Sequence, residues 1–554
     1  MNFFKLLATG AMVAILAACT TGQHPLTDGA NALTTSTVGK NAQQTFASTG
    51  GRLSFEDEIV YHLFQRSFYD SNGDNHGDLN GITKKLDYLQ ELGVTSILLT
   101  PLYDSPFYHN YFADDFEKID PRYGSLADYL KLVEEVHRRG MKIYMDMEVH
   151  YVAENHIWFK DSLHNPDSRY SDYILYNGPN NSKPESAIFF LEEMYSYTGD
   201  KYKLATINLE SDKVKAYLNN LFAYWVDPNG DGDFSDGVDG FRIDHMMDDL
   251  DLKGQLTNLF TDLWAPIFAD IKRINPNLVI IAEQADWGYG EEFWTKGNVD
   301  AVFGFPIMKA LVDFDKAALG TAIKTTQQKQ PAGKFNLLFI ENHDTHRFAS
   351  VVDNDPGKLR VAAAANMLLP GVPSLYYGQE IGMQGKKQQY NTSDANDIPV
   401  REAFNWKTDK NYDGMAFWYR GNGPWWADSA VKDDRTRSLE QQAADPQSLW
   451  NFYRKLIALR KQKDALRSGD IRILNREHAS VLSFIRSDGD AAYLISINFG
   501  DQPARTNLAV ADLGTVGGLQ LRNLKSEASS TLSVNGGRLS YDLSPYGVYL
   551  TKLR

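Results

Sequence analysis

Eight short apolar runs recur along this chain, at residues 59–64, 96–101, 142–147, 240–244, 279–283, 301–306, 336–341 and 373–377. Each has the length of a strand buried on both faces, since a strand with one wet face would alternate apolar and polar residues. Amphipathic stretches such as 126–139 and 214–225 lie between the runs. Strand–helix alternation of this kind builds a parallel sheet, and eight units close it into a (β/α)8 TIM barrel with no exposed edge. The expected class is therefore α/β, with the barrel over residues 55–465.

Two segments fall outside the pattern. Residues 150–205 are polar and rich in Tyr and Asn. A structureless loop of that length would be unusual, so an inserted subdomain after the third strand is expected. From 466 to 554 short alternating strands recur with Gly and Asp turns, which reads as a C-terminal antiparallel β-sandwich. The 56 Lys and Arg stand against 71 Asp and Glu, for a net charge of −15. That balance repels phosphate backbones and argues against nucleic-acid binding, while a neutral sugar meets no objection. A monomer is expected.

The start of the chain carries a different signal. A short basic opening, an apolar stretch too brief to span a bilayer and small residues before Cys19 make a secretory signal over residues 1–18. Leu16-Ala17-Ala18-Cys19 resembles a bacterial lipoprotein box, with the chain's one cysteine as its acylation site. Residues 19–54 are rich in Thr, Ser, Gly, Ala and Asn and read as a flexible tether. The resemblance implies membrane attachment through the lipid alone, in the bacterial cell envelope. Thr20 after the cysteine, in place of Asp, implies the outer membrane.

In a barrel, side chains at the C-terminal ends of the strands line one bowl. Asp244 ends the fourth run, Glu283 ends the fifth, and Asp344 follows the seventh. Charges seldom end apolar runs unless they are used or paired. Two carboxyls about 5 Å apart suit a double displacement at a glycosidic carbon, one as nucleophile and one as acid and then base. Arg242, two residues before Asp244 and on the same face, would keep that carboxylate ionised. Any one of these acids alone could equally be a structural ion-pair partner.

Taken together the motifs resemble glycoside hydrolase family 13, the α-amylase family, from about residue 54 onward. They are GFRID around Asp244, IIAEQAD around Glu283, FIENHDTHR around Asp344, LGVTSILLTPLYDSP and YHNYFADDFEKIDPRYGSLADY upstream, and LPGVPSLYYGQEIGM downstream. The resemblance implies Asp244 as nucleophile, Glu283 as general acid/base and Asp344 as transition-state stabiliser. It implies Tyr111, Arg242, His343 and Asp146 as substrate-binding residues and an α-glucan such as starch or maltodextrin as substrate. It also implies the barrel, an inserted B domain and the C-terminal β-domain. The pattern departs at Tyr151, where a histidine is usual, and at His150, where an asparagine ligates calcium in many relatives. Met247 and Asp248 replace Lys-His. Phe112 follows the stacking tyrosine and favours endo-cleavage. An α-glucosidase or neopullulanase-like maltodextrin hydrolase is the alternative. A glucan-binding protein without activity is the remote one, because all three acids are kept.

The loop Asp70, Asn72, Asp74, His76, Asp78 offers hard oxygen donors at alternate positions, which suits Ca²⁺. The resemblance implies that these side chains, with the carbonyl of His76, ligate it; an Asx-turn loop held by its own backbone is the alternative. Asp227, Asn229, Asp231 and Asp233 repeat the spacing without a bidentate acid at its end, and read either as a second metal loop or as a loop without metal. Trp425 and Trp426 are a candidate sugar platform, with ordinary packing as the alternative.

Overall fold

The computed structural model describes residues 53–389, 393–432, 437–474, 478–513, 519–532 and 534–554. Cys19, the signal and the tether lie outside the described residues. Among the described residues no helix is long and apolar enough to cross a membrane.

Eight parallel strands close into a barrel. They are β1 (Val60–Leu63), β2 (Ser96–Leu99), β3 (Lys142–Met147), β4 (Gly240–Met246), β5 (Val279–Gln284), β6 (Ala301–Phe303), β7 (Phe335–Leu338) and β8 (Val372–Tyr376). Each corresponds to one of the apolar runs. Val60, Leu98, Tyr144, Ile281, Phe303 and Leu337 belong to one inner cluster, so the barrel interior is packed and not a pore. The larger cluster lies outside it, where helices such as Leu79–Leu92, Leu126–Arg138 and Pro356–Leu368 cover the strands.

Local chemistry starts and stops these helices. Asp78 caps Leu79–Leu92 by accepting from Gly81 N at 2.7 Å, and Ser125 with Asp128 forms a capping box for the next helix. Gly93 ends the first helix at φ 102°, where a Cβ would also meet Ile457 at 2.6 Å.

Between β3 and the helix Asp212–Val226 the chain folds a three-stranded antiparallel sheet from Tyr151–Ala153, Lys201–Thr206 and Glu193–Tyr195. The C-terminal region forms a six-stranded and a three-stranded antiparallel sheet. Val481, Leu494, Leu508, Leu539 and Leu543 from both sheets share one core. Buried arginines on either side of this junction grip carbonyls, and Arg486 is the one that reaches from the C-terminal sheet to the barrel. Arg486 donates to Leu368 O and Gly469 O at 2.8 Å, and Arg460 to Met367 O at 2.8 Å.

Candidate active site

β4 carries the centre of the site. Arg242 and Asp244 are two residues apart and project from the same face of the strand. β3 runs beside it with Asp146 opposite Arg242. The Arg242 guanidinium is fully buried. Its Nη1 donates to the two Asp146 oxygens at 2.8 and 2.7 Å and to Asp244 Oδ1, and its Nη2 pairs with Glu283 Oε2 at 2.6 Å. One cation therefore holds carboxylates from three neighbouring strands.

A break in β4 aims these groups. Its register with β5 slips between Ala282 and Gln284, so that an extra residue is accommodated on β4 beside Glu283. His245 takes φ 42°, a left-handed conformation costly for a residue with a Cβ. The turn points its N–H at Glu283 Oε2, 3.2 Å away.

The opposite wall comes from the loop after β7. Arg401 Nη2 lies 3.0 Å from Asp344 Oδ1, and Arg401 Nε donates to His343 O at 2.9 Å. His343 Nε2 sits 3.1 Å from Asp344 Oδ2 and 2.7 Å from the Tyr111 hydroxyl, which donates to Asp146 Oδ2 at 2.7 Å. The Tyr111 and His343 rings stack at 5.3 Å and 11°. Tyr111 thus links the two walls.

Exposure separates the groups. The side chains of Asp344, Asp244 and Glu283 retain 32%, 16% and 11% of their surface, whereas Asp146 and Arg242 retain none. The first three can touch a ligand, and the other two brace them. Burial pushes Glu283 up to about 7, against the opposing pull of Arg242. It pushes Asp244 up as well, opposed by Arg242 and reinforced by the neighbouring Glu148 and Asp146. Burial works the same way on Asp344, but His343, Arg401 and Lys387 outweigh it and hold that carboxyl well below the usual range. Acids poised near neutrality can exchange protons with a substrate, and one kept ionised can oppose a developing positive charge.

All seven expected site residues, Asp146, Asp244, Glu283, Asp344, Tyr111, Arg242 and His343, meet in this bowl. Three groups there went unremarked in the sequence. Arg401 follows β8 in an irregular stretch with no motif to flag it. Glu148 and His62 lie within or beside apolar runs and read as incidental. His62 packs edge-on against His343 at 5.2 Å, and burial lowers its pKa to about 3, so its ring is neutral.

The departures have structural occupations. The Tyr151 hydroxyl donates to Asp251 Oδ1 at 2.7 Å, and Asp248 Oδ1 accepts from Phe260 N at 2.9 Å. Phe112 is buried against Phe107 at 5.5 Å. Trp426 packs on Phe417 at 5.1 Å and Trp425 lies against the core, as packing residues do.

The loop from Asp70 to Asp78 closes on itself. Asp70 accepts from the N–H groups of Asn72, Gly73 and Asn75 at 3.1, 2.7 and 2.8 Å, and Asp74 accepts from His76 N at 2.8 Å. The loop of Asp227 is tied in the same way, Asp227 accepting from Gly230 N and Gly232 N at 2.9 Å. The donors are of the type calcium takes. Among the described residues, though, no group of three or more His, Cys, Asp or Glu is placed to hold a metal ion.

A family model described as alpha amylase, catalytic domain, matches residues 62–469. The chain belongs to the α-amylase family. It is a glycosidase, and relatives of several activities resemble it about equally. Alpha-amylase 3 of Dictyoglomus thermophilum is 27% identical over 90% of this chain and 94% of its own. The oligo-1,6-glucosidase of Parageobacillus thermoglucosidasius is also 27% identical, over 81% of this chain and 91% of its own. Among solved structures, the α-amylase from H. orenii superposes with a TM-score of 0.75 at 28% identity, covering 90% of this chain and 99% of that one.

Proposed function

We propose that the chain cleaves internal α-1,4 bonds of starch-type glucans with retention of configuration. The observation that carries this is the single buried Arg242 holding Asp244 and Glu283 together, with Asp344 ionised across from them. Asp244 attacks the anomeric carbon while Glu283 gives its proton to the departing glycosidic oxygen. Asp344 and the other carboxylates oppose the positive charge that develops on the ring, and an ester to Asp244 forms. Glu283, now a carboxylate, takes a proton from water, whose oxygen attacks the same carbon and frees Asp244. Tyr111 supplies a ring face for the reacting sugar to stack on.

The alternative is trimming of short maltodextrins or cleavage of α-1,6 bonds, favoured by the oligo-1,6-glucosidase resemblance. The product profile on amylose, pullulan and maltotriose decides. Endo-cleavage abolishes iodine staining while few reducing ends have appeared, whereas staining that decays in step with sugar release supports trimming.

Calcium binding by the 70–78 loop is part of the proposal and rests on donor chemistry: three carboxylates, an amide and a carbonyl within nine residues. An ion bound only by the native state adds stability. A chelator is expected to lower Tm, and Asp74→Ala to remove most of that sensitivity. We also place the enzyme on the outer membrane through acylated Cys19. Cys19→Ser is expected to move it from the membrane to the soluble fraction, and equal solubility of both forms would defeat the idea.

A further inference from the structure

Behind the nucleophile sits a carboxyl that the reaction as described does not use. In β3 and β4 the pairs Asp146↔Arg242 and Met147↔Ile243 are in register. Glu148 and Asp244 directly follow that paired stretch, both on the inward face by the two-residue period. The two carboxyls are hydrogen-bonded to each other, which requires one proton between them. Glu148 is 2% exposed and, among the described residues, pairs with no lysine or arginine. Its other partners are His150 N at 2.5 Å and His150 Nδ1 at 2.9 Å. The groups facing the pair are Arg242, His245 and Asp146 on the flanking strands, His150 and Tyr151 beyond β3, Asp251 after β4, and Tyr103. Of these, Arg242 touches only the Asp244 member.

The geometry points to Glu148 as a positioning residue that carries the shared proton and donates a hydrogen bond to the Asp244 carboxylate. Arg242 touches Asp244 and favours the anion there, whereas among the described residues Glu148 meets no guanidinium or ammonium; the nearby His245 acts on both carboxyls. The bond has a use in each half of the reaction. Before attack it fixes the nucleophile from a second side. When the ester breaks, Asp244 departs as a carboxylate, and the donor meets the charge forming on its oxygen. Burial pushes both carboxyls of the pair up, and Asp244, His150 and His245 pull Glu148 back. His150 is driven down to about 4 by burial, so its ring is neutral beside the pair. Deprotonation of Glu148 would set two anions in contact and remove the donor.

The inference rests on Asp244 being the nucleophile. Its test uses the full-length enzyme and a 4-nitrophenyl α-maltooligoside, whose leaving group needs little protonation. With that substrate kcat reports deglycosylation, in which Glu283 works as a base and contributes no alkaline fall. Glu148→Leu is expected to lower kcat about tenfold to a hundredfold, the range for one hydrogen bond to a charged group. KM should fall with it, because the ester accumulates further. Glu148→Gln keeps an N–H donor and should restore kcat nearly to wild type. Wild-type kcat should drop at alkaline pH as Glu148 ionises, and the Gln variant should lose that drop because an amide does not titrate. The inference is overturned if the Gln variant keeps the wild-type alkaline fall, or if the Leu variant keeps wild-type kcat and KM. Should the Leu variant fail to fold, the Gln profile decides alone. Turnover by Asp244→Asn would instead remove the reading beneath it. A dead Asp244→Asn with an unaltered Gln profile removes only this inference.

Discussion

The barrel buries a glutamate at each end, and the two make an instructive pair. Glu58, just before β1, is wholly buried; Glu283, at the far end of β5, is nearly so. Burial raises both to about 7. A perturbed pKa therefore does not tell the working end from the resting end. The partners do. Glu58 receives Ser96 Oγ at 2.5 Å, Lys142 Nζ at 2.6 Å and the Tyr144 hydroxyl at 2.9 and 3.0 Å. One anion meets one cation, and the oxygens are satisfied. At the other end a single guanidinium serves Asp146, Asp244 and Glu283, and Glu148 adds a further carboxyl. The carboxyls outnumber the guanidinium that holds them, which leaves a surplus of negative charge facing the bowl. It suits a ligand whose ring turns positive as its bond breaks. Strand β3 joins the two ends, since Lys142, Tyr144 and Asp146 lie on one face of it.

The largest effect should come from Asp244→Asn. Turnover on glucan is expected to fall by about 10³-fold or more. Tm should not fall, because the change removes one of several crowded carboxyls. Steady-state rates and a thermal melt check both halves, and near-native activity would break the comparison outright. Glu283→Gln is expected to lose about 10²- to 10⁴-fold on starch but far less on an aryl α-glycoside. Equal losses on the two substrates would mean Glu283 is not the acid.

Glu58→Ala should show the reverse pattern. It strands the Lys142 ammonium in a buried site, and removing one partner of a buried pair costs about 3–5 kcal/mol. Denaturant unfolding is expected to register that loss while kcat of the folded enzyme stays near wild type. A kcat that fell with stability would show that the two ends are not independent.

The smallest effect is in pH. Glu58 titrates at about 7 when folded against 4.5 in the unfolded chain, so the folded state holds more protons between those values. Its contribution to stability is complete below about 4.5, and falls as pH rises to about 7. Glu58→Gln should flatten that part of a Tm–pH curve. Glu283→Gln should flatten it too, and only the latter should alter the pH–rate profile.

Much of this molecule was legible from residue order. The barrel strands announced themselves because parallel strands covered on both faces must be apolar throughout. Asp244, Glu283 and Asp344 stood out because a charge that ends such a run needs a reason to be there. The Arg242–Asp244 pair followed from the two-residue period of a strand, which is local. Trp425 and Trp426 show the limit, since an aromatic pair in a turn reads the same whether it meets sugar or core.

What the sequence by itself determined was therefore the set of elements and the acids at their ends, properties that depend on neighbours within one strand or helix. The tertiary structure alone decided who faces whom. Glu148 meets Asp244 only because β3 and β4 lie side by side in one register. Arg401 reaches Asp344 only because the chain returns to the bowl after β8. Glu58 and Glu283 carry the same side chain and the same raised pKa, and differ in the groups that closure of the barrel brings against them. Charge balance is a property of a place in space, and residues distant in sequence supply it.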